Sequence, residues 1–302
     1  MSSVLVEELG PRGRKRVRIA TVVSVLALAS FLGWLILRLA AEGQFAGRLW
    51  AQFIDFESEW PQYLVSGLWG TVRAAVGAMV IAASLGLVLA LGRLSSIAPV
   101  RWVSALIVDV FRGPPVLLFI FFSFFALPQI LPGTLGTTIS RNPLIALVIG
   151  LSAYNMAVLA EIYRAGILSL DRGQKEAAAA IGMRPGQQMR IVVLPQALRR
   201  MIPAIVAQLA TLTKDTSLGY IITVSDDLLG RGRPFGQASP SNELQTYFVV
   251  GVLYFILIWG LSRLAQRLEQ RQRQRLGASA IDVGGGEADI AALAEDADAA
   301  KA

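Results

Sequence analysis

Four consecutive polar residues, Lys214, Asp215, Thr216 and Ser217, stand inside the apolar run from Ile202 to Val224. Lys214 lies about 12 residues into that run, roughly 18 Å at helical rise. If the run crosses a bilayer, these groups are at or past its middle. An ionised side chain at a helix centre costs roughly 2.5–3.5 kcal/mol even on insertion scales, so such groups pair or line a cavity. Arg73 lies in another apolar run, Leu64 to Leu91, and approaches a similar depth from the opposite side. A guanidinium fork suits a carboxylate and Asp215 suits an ammonium, so together they offer the two ends of a site for a zwitterion. The same residues also admit a purely structural reading: an internal Arg73–Asp215 salt bridge, or Lys214 beside Asp215 at a pore lip, holding helices in register. The sequence leaves both open.

The elements that must position these residues are apolar blocks. Hydrophobic residues make up 54% of the chain and charged residues 16%, and the apolar ones are gathered into long runs, as in a polytopic all-α membrane protein. Six spans are expected: 19–39, 64–91, 103–131, 143–159, 202–224 and 245–264. Gly113-Pro114-Pro115 must interrupt or kink the third. Lys and Arg cluster in the arm 1–18, after the second span, between the fourth and fifth, and after the sixth. Arg38, Arg48, Arg141, Arg231 and Arg233 are the sparser set on the other side. This asymmetry puts both termini in the cytoplasm. The run 19–39 is too long, and too poor in a small-residue cleavage site, for a signal peptide, and reads as a retained helix. Residues 226–242, rich in Gly, Pro and Arg, read as an outward loop. The acidic stretch 277–302 reads as a disordered tail.

Exclusions are as useful. With no Cys and no His, the chain has no disulfide, thiolate nucleophile or imidazole metal site, and no metal is expected. No Gly-x-x-x-x-Gly-Lys-Ser/Thr loop occurs, so the chain does not hydrolyse ATP by itself and is not expected to be an enzyme. Each basic cluster abuts a span, which favours topology and lipid headgroups over nucleic acid. Asp109 with Arg112, and Glu161 with Arg164, are three apart on a helix and are expected to pair. Asn155, Gly86, Ala90, Gly150 and Ala153 are suited to close helix packing.

Between the fourth and fifth spans stand Glu176-Ala177-Ala178, then Gly182, then Val192 and Leu194-Pro195, within the basic segment 164–200. This spacing resembles the EAA loop of ATP-binding-cassette importer permeases, with Val192 where Ile is usual. Lys214-Asp215-Thr216-Ser217-Leu218 resembles the Lys-Asp-Thr-Ser-Leu element of the polar amino acid permeases, and Phe111-Arg112-Gly113-Pro114-Pro115 their Phe-Arg-Gly-Thr-Pro element, with Pro114 for Thr. The resemblance covers 64–267. It implies a type I importer permease fold: a five-helix core, here with one additional N-terminal transmembrane helix at 19–39.

The resemblance further implies that Glu176, Ala177, Ala178, Gly182, Leu194 and Pro195 shape a coupling loop of two short helices joined at the Gly. Arg73, Arg112, Lys214, Asp215, Thr216 and Ser217 are the substrate-path candidates. The implied function is the permease subunit of an ATP-driven importer of polar amino acids, glutamate or glutamine systems above all, in the bacterial inner (plasma) membrane. The implied partners are cytoplasmic ATP-binding subunits carrying ATP and Mg, a second permease chain (another chain or a copy of this one), an extracytoplasmic substrate-binding protein, and membrane lipid. The rival is a secondary transporter or channel not driven by ATP; it leaves the Glu-Ala-Ala loop unexplained. A nontransporting membrane scaffold is the third reading.

Overall fold

A computed structural model describes residues 10–55, 59–222, 226–238 and 242–299. Residues 1–9 of the expected arm, Val224 at the expected end of the fifth run, 239–241 of the expected loop, and 300–302 of the tail lie outside the described residues. The chain divides into two compact units, Met1–Pro61 with Phe235–Thr246, and Gln62–Pro234 with Tyr247–Ala302.

In the first unit, α1 (Pro11–Ala41) takes Pro11 at its first turn, where a missing N–H costs nothing. Arg12 to Arg18 lie in the first turns of this helix. Val22, Leu26, Phe31 and Trp34 are each more than half exposed. A helix apolar on all sides over this stretch is suited to a lipid environment. The short α2 (Gly47–Ile54) comes next. Trp50 Nε1 donates to the Gln44 carbonyl at 3.2 Å, Gln245 Nε2 donates to the same carbonyl at 2.7 Å, and the Phe53 ring packs 4.5 Å from that of Trp60.

The second unit is organised on α7. Its elements, apart from the first two residues of α3, the end of α10 and the start of α11, are α3 (Trp60–Arg93), α4 (Ala98–Arg112), α5 (Val116–Ile130), α6 (Thr134–Arg141) and α7 (Pro143–Leu168). After these come α8 (Arg172–Ala180), α9 (Pro185–Ile222), α10 (Leu228–Ala238) and α11 (Glu243–Ala299). Asn142 Oδ1 accepts from the Leu144 N–H at 3.1 Å and Pro143 sits at the first turn, so α7 starts where the sequence places it. It runs on to Leu168, past the expected end at 159. Leu147, Leu151, Leu159 and Ala160 are fully buried among α4, α5 and α9.

Small residues let these helices approach. A Cβ on Gly150 would lie 2.6 Å from Ile120 Cα of α5, and one on Gly86 2.8 Å from the Met156 carbonyl oxygen of α7. The third apolar run is broken as Gly113-Pro114-Pro115 requires: α4 and α5 meet at 97°, and Phe111 stacks on Phe119 across the bend at 5.3 Å.

Two π-helical stretches, Phe122–Ala126 in α5 and Gln188–Val193 in α9, each lead into a Leu-Pro pair. Pro128 and Pro195 have no N–H for the carbonyls of Phe124 and Ile191, four residues back, and the widened turn absorbs the missing bond. One other expectation is corrected. Residues 226–242 contain α10 and not a plain loop, because Asp227 caps its first turn. The last helix is traced to Ala299.

Candidate functional site

The coupling candidates assemble into one small structure. Asp171 Oδ1 accepts from the Gly173 N–H at 3.1 Å and starts α8, an Ala-rich helix of 9 residues. Its end is a Schellman turn. Gly182, at φ +79°, donates its N–H to Ala179, and Met183 donates to Ala178. No side chain could occupy that left-handed conformation without strain, which is why Gly stands there. Arg184 and Pro185 then open α9, with the Arg184 N–H bonded to Gln187 Oε1 at 2.9 Å. Two helices joined at Gly182 result.

Ala178 is buried against the π-helical stretch of α9, while Glu176, Ala177 and Ile181 remain exposed. Gln196 Nε2 donates to Gln174 Oε1 at 3.2 Å, pinning α8 to the turn after Leu194 and Pro195. At the base, Arg200 reaches the Ser169 carbonyl. The arrangement offers a partner a short helix whose outer face carries Glu176, Ala177 and an exposed apolar tip, Ile181. The motif gave no signal for Ile181.

The substrate-path candidates are less convergent. α-Helical geometry in α9 ends at Asp215, and Thr216–Ile222 is a 3₁₀ turn. The buried Thr216 hydroxyl donates to the Thr213 carbonyl at 2.8 Å and also meets the Tyr254 hydroxyl, while Ser217 donates to the carbonyl of Lys214 at 2.7 Å. Lys214 is exposed at one end of a groove of about 690 Å³ between α9 and α11, lined by Arg200, Ala204, Ala207, Thr211 and Glu269. Arg73 shares the exposed face of α3 with Trp69, Val76 and Val80. Among the described residues, Arg73 and Asp215 form no ion pair, so the internal Arg73–Asp215 bridge is not made.

Arg112 goes elsewhere. It lies 3.6 Å from Glu161 and does not pair with Asp109, because the end of α4 packs on α7 and turns Arg112 toward it. Glu161 also meets Arg164 at 2.7 Å, the expected pair, and Arg93 at 3.3 Å. Asn155 Oδ1 accepts from Gln208 Nε2 at 2.7 Å, a bond between α7 and α9 that only the first partner's sequence position hinted at.

Near the far end of α9 the structure holds a buried carboxylate that neither motif nor spacing flags. Asp227 Oδ1 accepts from the Gly230 N–H at 3.0 Å; Oδ2 accepts from the Leu229 N–H and from the Tyr254 hydroxyl, both at 3.3 Å. Burial pushes its pKa up to about 6, even though these bonds favour the charged form. Thr71 of α3 accepts from the Leu228 N–H beside it, and a Cβ on Gly70 would collide with the Asp226 carbonyl.

Residues 82–274 match the family described as binding-protein-dependent transport system inner membrane component. The chain belongs to that family. It is therefore a non-catalytic permease subunit of an ABC transport system, embedded in the membrane through several apolar helices. Among curated relatives, the glutamate transport system permease protein GluD of Corynebacterium glutamicum is 38% identical over 237 residues, 78% of this chain and 84% of that one. The arginine transport system permease protein ArtQ of Bacillus subtilis is 35% identical over 220 residues, 72% and 97% of the two chains. Among solved structures, an amino acid ABC transporter crystallised with histidines superposes at a TM-score of 0.59 with 29% identity, covering 70% of this chain and 95% of that one. The type I importer permease fold is thereby established, with six spans when α4 and α5 are counted as one broken span.

Proposed function

We propose that this permease forms part of the translocation path of an ATP-driven importer of polar amino acids, with glutamate the favoured substrate and glutamine or aspartate next. The observation that supports it is the Schellman-ended α8 with its exposed Glu176-Ala177 face, a short capped helix suited to docking on a cytoplasmic ATPase. The substrate class rests on the relatives, whose names span glutamate and arginine.

In this reading both termini and α8 are cytoplasmic, as the basic clusters favour. A second permease chain completes the path, a heterodimer more simply than a homodimer, and an extracytoplasmic binding protein delivers substrate. ATP and Mg are held by the partner subunits, whose closure presses on α8 and opens the path outward; hydrolysis resets it. Arg73, Lys214 and Asp215 meet the carboxylate and ammonium of the substrate along that path.

The test is purification from native membranes with identification of the copurified chains, followed by uptake of labelled glutamate, glutamine and arginine into proteoliposomes. Uptake that needs ATP and the binding protein, and is strongest for glutamate, is expected. Uptake without either would establish the secondary transporter instead.

A further inference from the structure

Three helices deliver arginines to one carboxylate. Arg93 is the last residue of α3, Arg112 the last of α4, and Arg164 lies one turn from the end of α7; all three lie within 4 Å of Glu161. Glu161 supplies one negative charge for three. Asp109, exposed one turn before Arg112, pairs with none of them, and the cluster stays net cationic even with Asp109 counted. The arginines are also incompletely satisfied. Arg93 Nη1 is buried and near Glu161 but off the geometry of a hydrogen bond, and the Arg112 side chain is 55% exposed. A guanidinium left with free donors at a membrane boundary is suited to a phosphate.

The second observation is the surface beside it. α4 carries Trp102, Val103, Leu106 and Val110 on one face, all more than half exposed, while Ser104 and Val108 on the opposite face are buried. The 97° bend at Gly113-Pro114-Pro115 sets α4 nearly across the direction of α5. If α5 crosses the bilayer, α4 lies along its surface, with that apolar face toward the acyl chains and Arg112 at headgroup depth. Trp102 is suited to that interface.

From this juxtaposition we propose that the α4 face and the Arg93–Arg112–Arg164 cluster bind one anionic phospholipid, its phosphate on the arginines and an acyl chain along Trp102, Leu106 and Val110. Glu161 holds the three guanidinium groups in place and competes with the phosphate for them. Lipid charge would in this way reach α7, which leads directly into α8.

The experiment uses the full chain in phosphatidylcholine nanodiscs containing a trace of either brominated phosphatidylglycerol or brominated phosphatidylcholine. Quenching of Trp102 is read as the difference from Trp102→Phe, since the chain has 6 Trp. At about fivefold per cationic charge near a surface, the phosphatidylglycerol should quench Trp102 at a mole fraction at least fivefold lower than the phosphatidylcholine. The double variant Arg112→Gln with Arg164→Gln should bring that ratio close to one, whereas Arg112→Lys, which keeps the charge, should retain most of it. Thermal unfolding of each variant confirms that the comparison is between folded proteins. Equal quenching by both lipids in the unaltered chain, or an unchanged ratio in the folded Arg112→Gln single variant and in the double variant, overturns the proposal. So does a Trp102 that neither lipid quenches, which would mean that protein covers this face.

Discussion

At Gly182 the added Cβ would meet nothing within 4 Å, so its requirement for Gly is one of backbone conformation alone. Gly182→Ala should cost roughly 1–2 kcal/mol at the left-handed position, which predicts a 5- to 30-fold faster amide exchange at Gly182 and Met183 with the spans unaffected. The larger Gly182→Asp should also uncouple ATP hydrolysis from uptake in the reconstituted complex; normal assembly with normal uptake would show that α8 is not the coupling helix. Asp227 is a different case, since its ionisation state is at stake. Buried with its pKa near 6, it holds its proton more tightly than the unfolded chain does, whose carboxylate keeps the ordinary value of 3.8. The folded state is thus favoured most at low pH, loses that advantage as pH rises from about 4 to about 6, and changes little above. Asp227→Asn should abolish this slope, because Asn still caps Gly230 and presents an amide to Tyr254. Asp227→Ala should abolish the slope as well and lie about 1 kcal/mol below Asp227→Asn at every pH, since the cap is lost. Thermal unfolding in detergent at pH 4.5 and 7.5 distinguishes the three proteins.

Helices in this chain are placed by where small residues and prolines fall. Gly150 has backbone against it at 2.6 Å, so Gly150→Ala should push α5 from α7 and cost about 1–3 kcal/mol. Gly251→Ala, open in space, should be neutral or slightly stabilising. A drop in unfolding temperature confined to the first variant checks this. These same elements show what the sequence could and could not reveal. The spans were legible because apolar length alone defines them, and the break at Gly113-Pro114-Pro115 because Pro cannot continue a helix. The pair of short helices joined at Gly182 was legible to the level of its Gly, since a left-handed turn needs that residue. The partner of Arg112 was not: a spacing of three on α4 makes Asp109 the local choice, and only the packing of α4 on α7 brings Glu161 closer. Asp227 escaped for the same reason. Its burial is produced by α3, α10 and α11 together, residues more than a hundred positions apart, and no local pattern carries it. Nor could the sequence separate a substrate-binding Arg73 and Asp215 from a salt bridge; the structure removes the bridge by placing Arg73 on the exposed face of α3.

On the scale of the molecule, the family match begins at residue 82 and ends at 274, so α1 lies outside it, and the curated relatives align over 78% and 72% of this chain. Most apolar residues of α1 are exposed, and its first turns carry Arg12, Arg14, Lys15, Arg16 and Arg18. A helix with no buried face contributes little to a protein core, but an apolar segment led by a basic cluster is a strong topological signal. The expected role of α1 is to help insert and orient the spans C-terminal to it. Removing residues 1–42 should accordingly reduce the amount of permease recovered from the membrane several-fold, while the fraction that does insert keeps its substrate preference and half-saturating substrate concentration. Quantifying membrane-extracted protein alongside uptake per inserted molecule separates the two effects. A truncated chain that inserts as well as the full one but prefers a different amino acid would mean that α1 belongs to the substrate path.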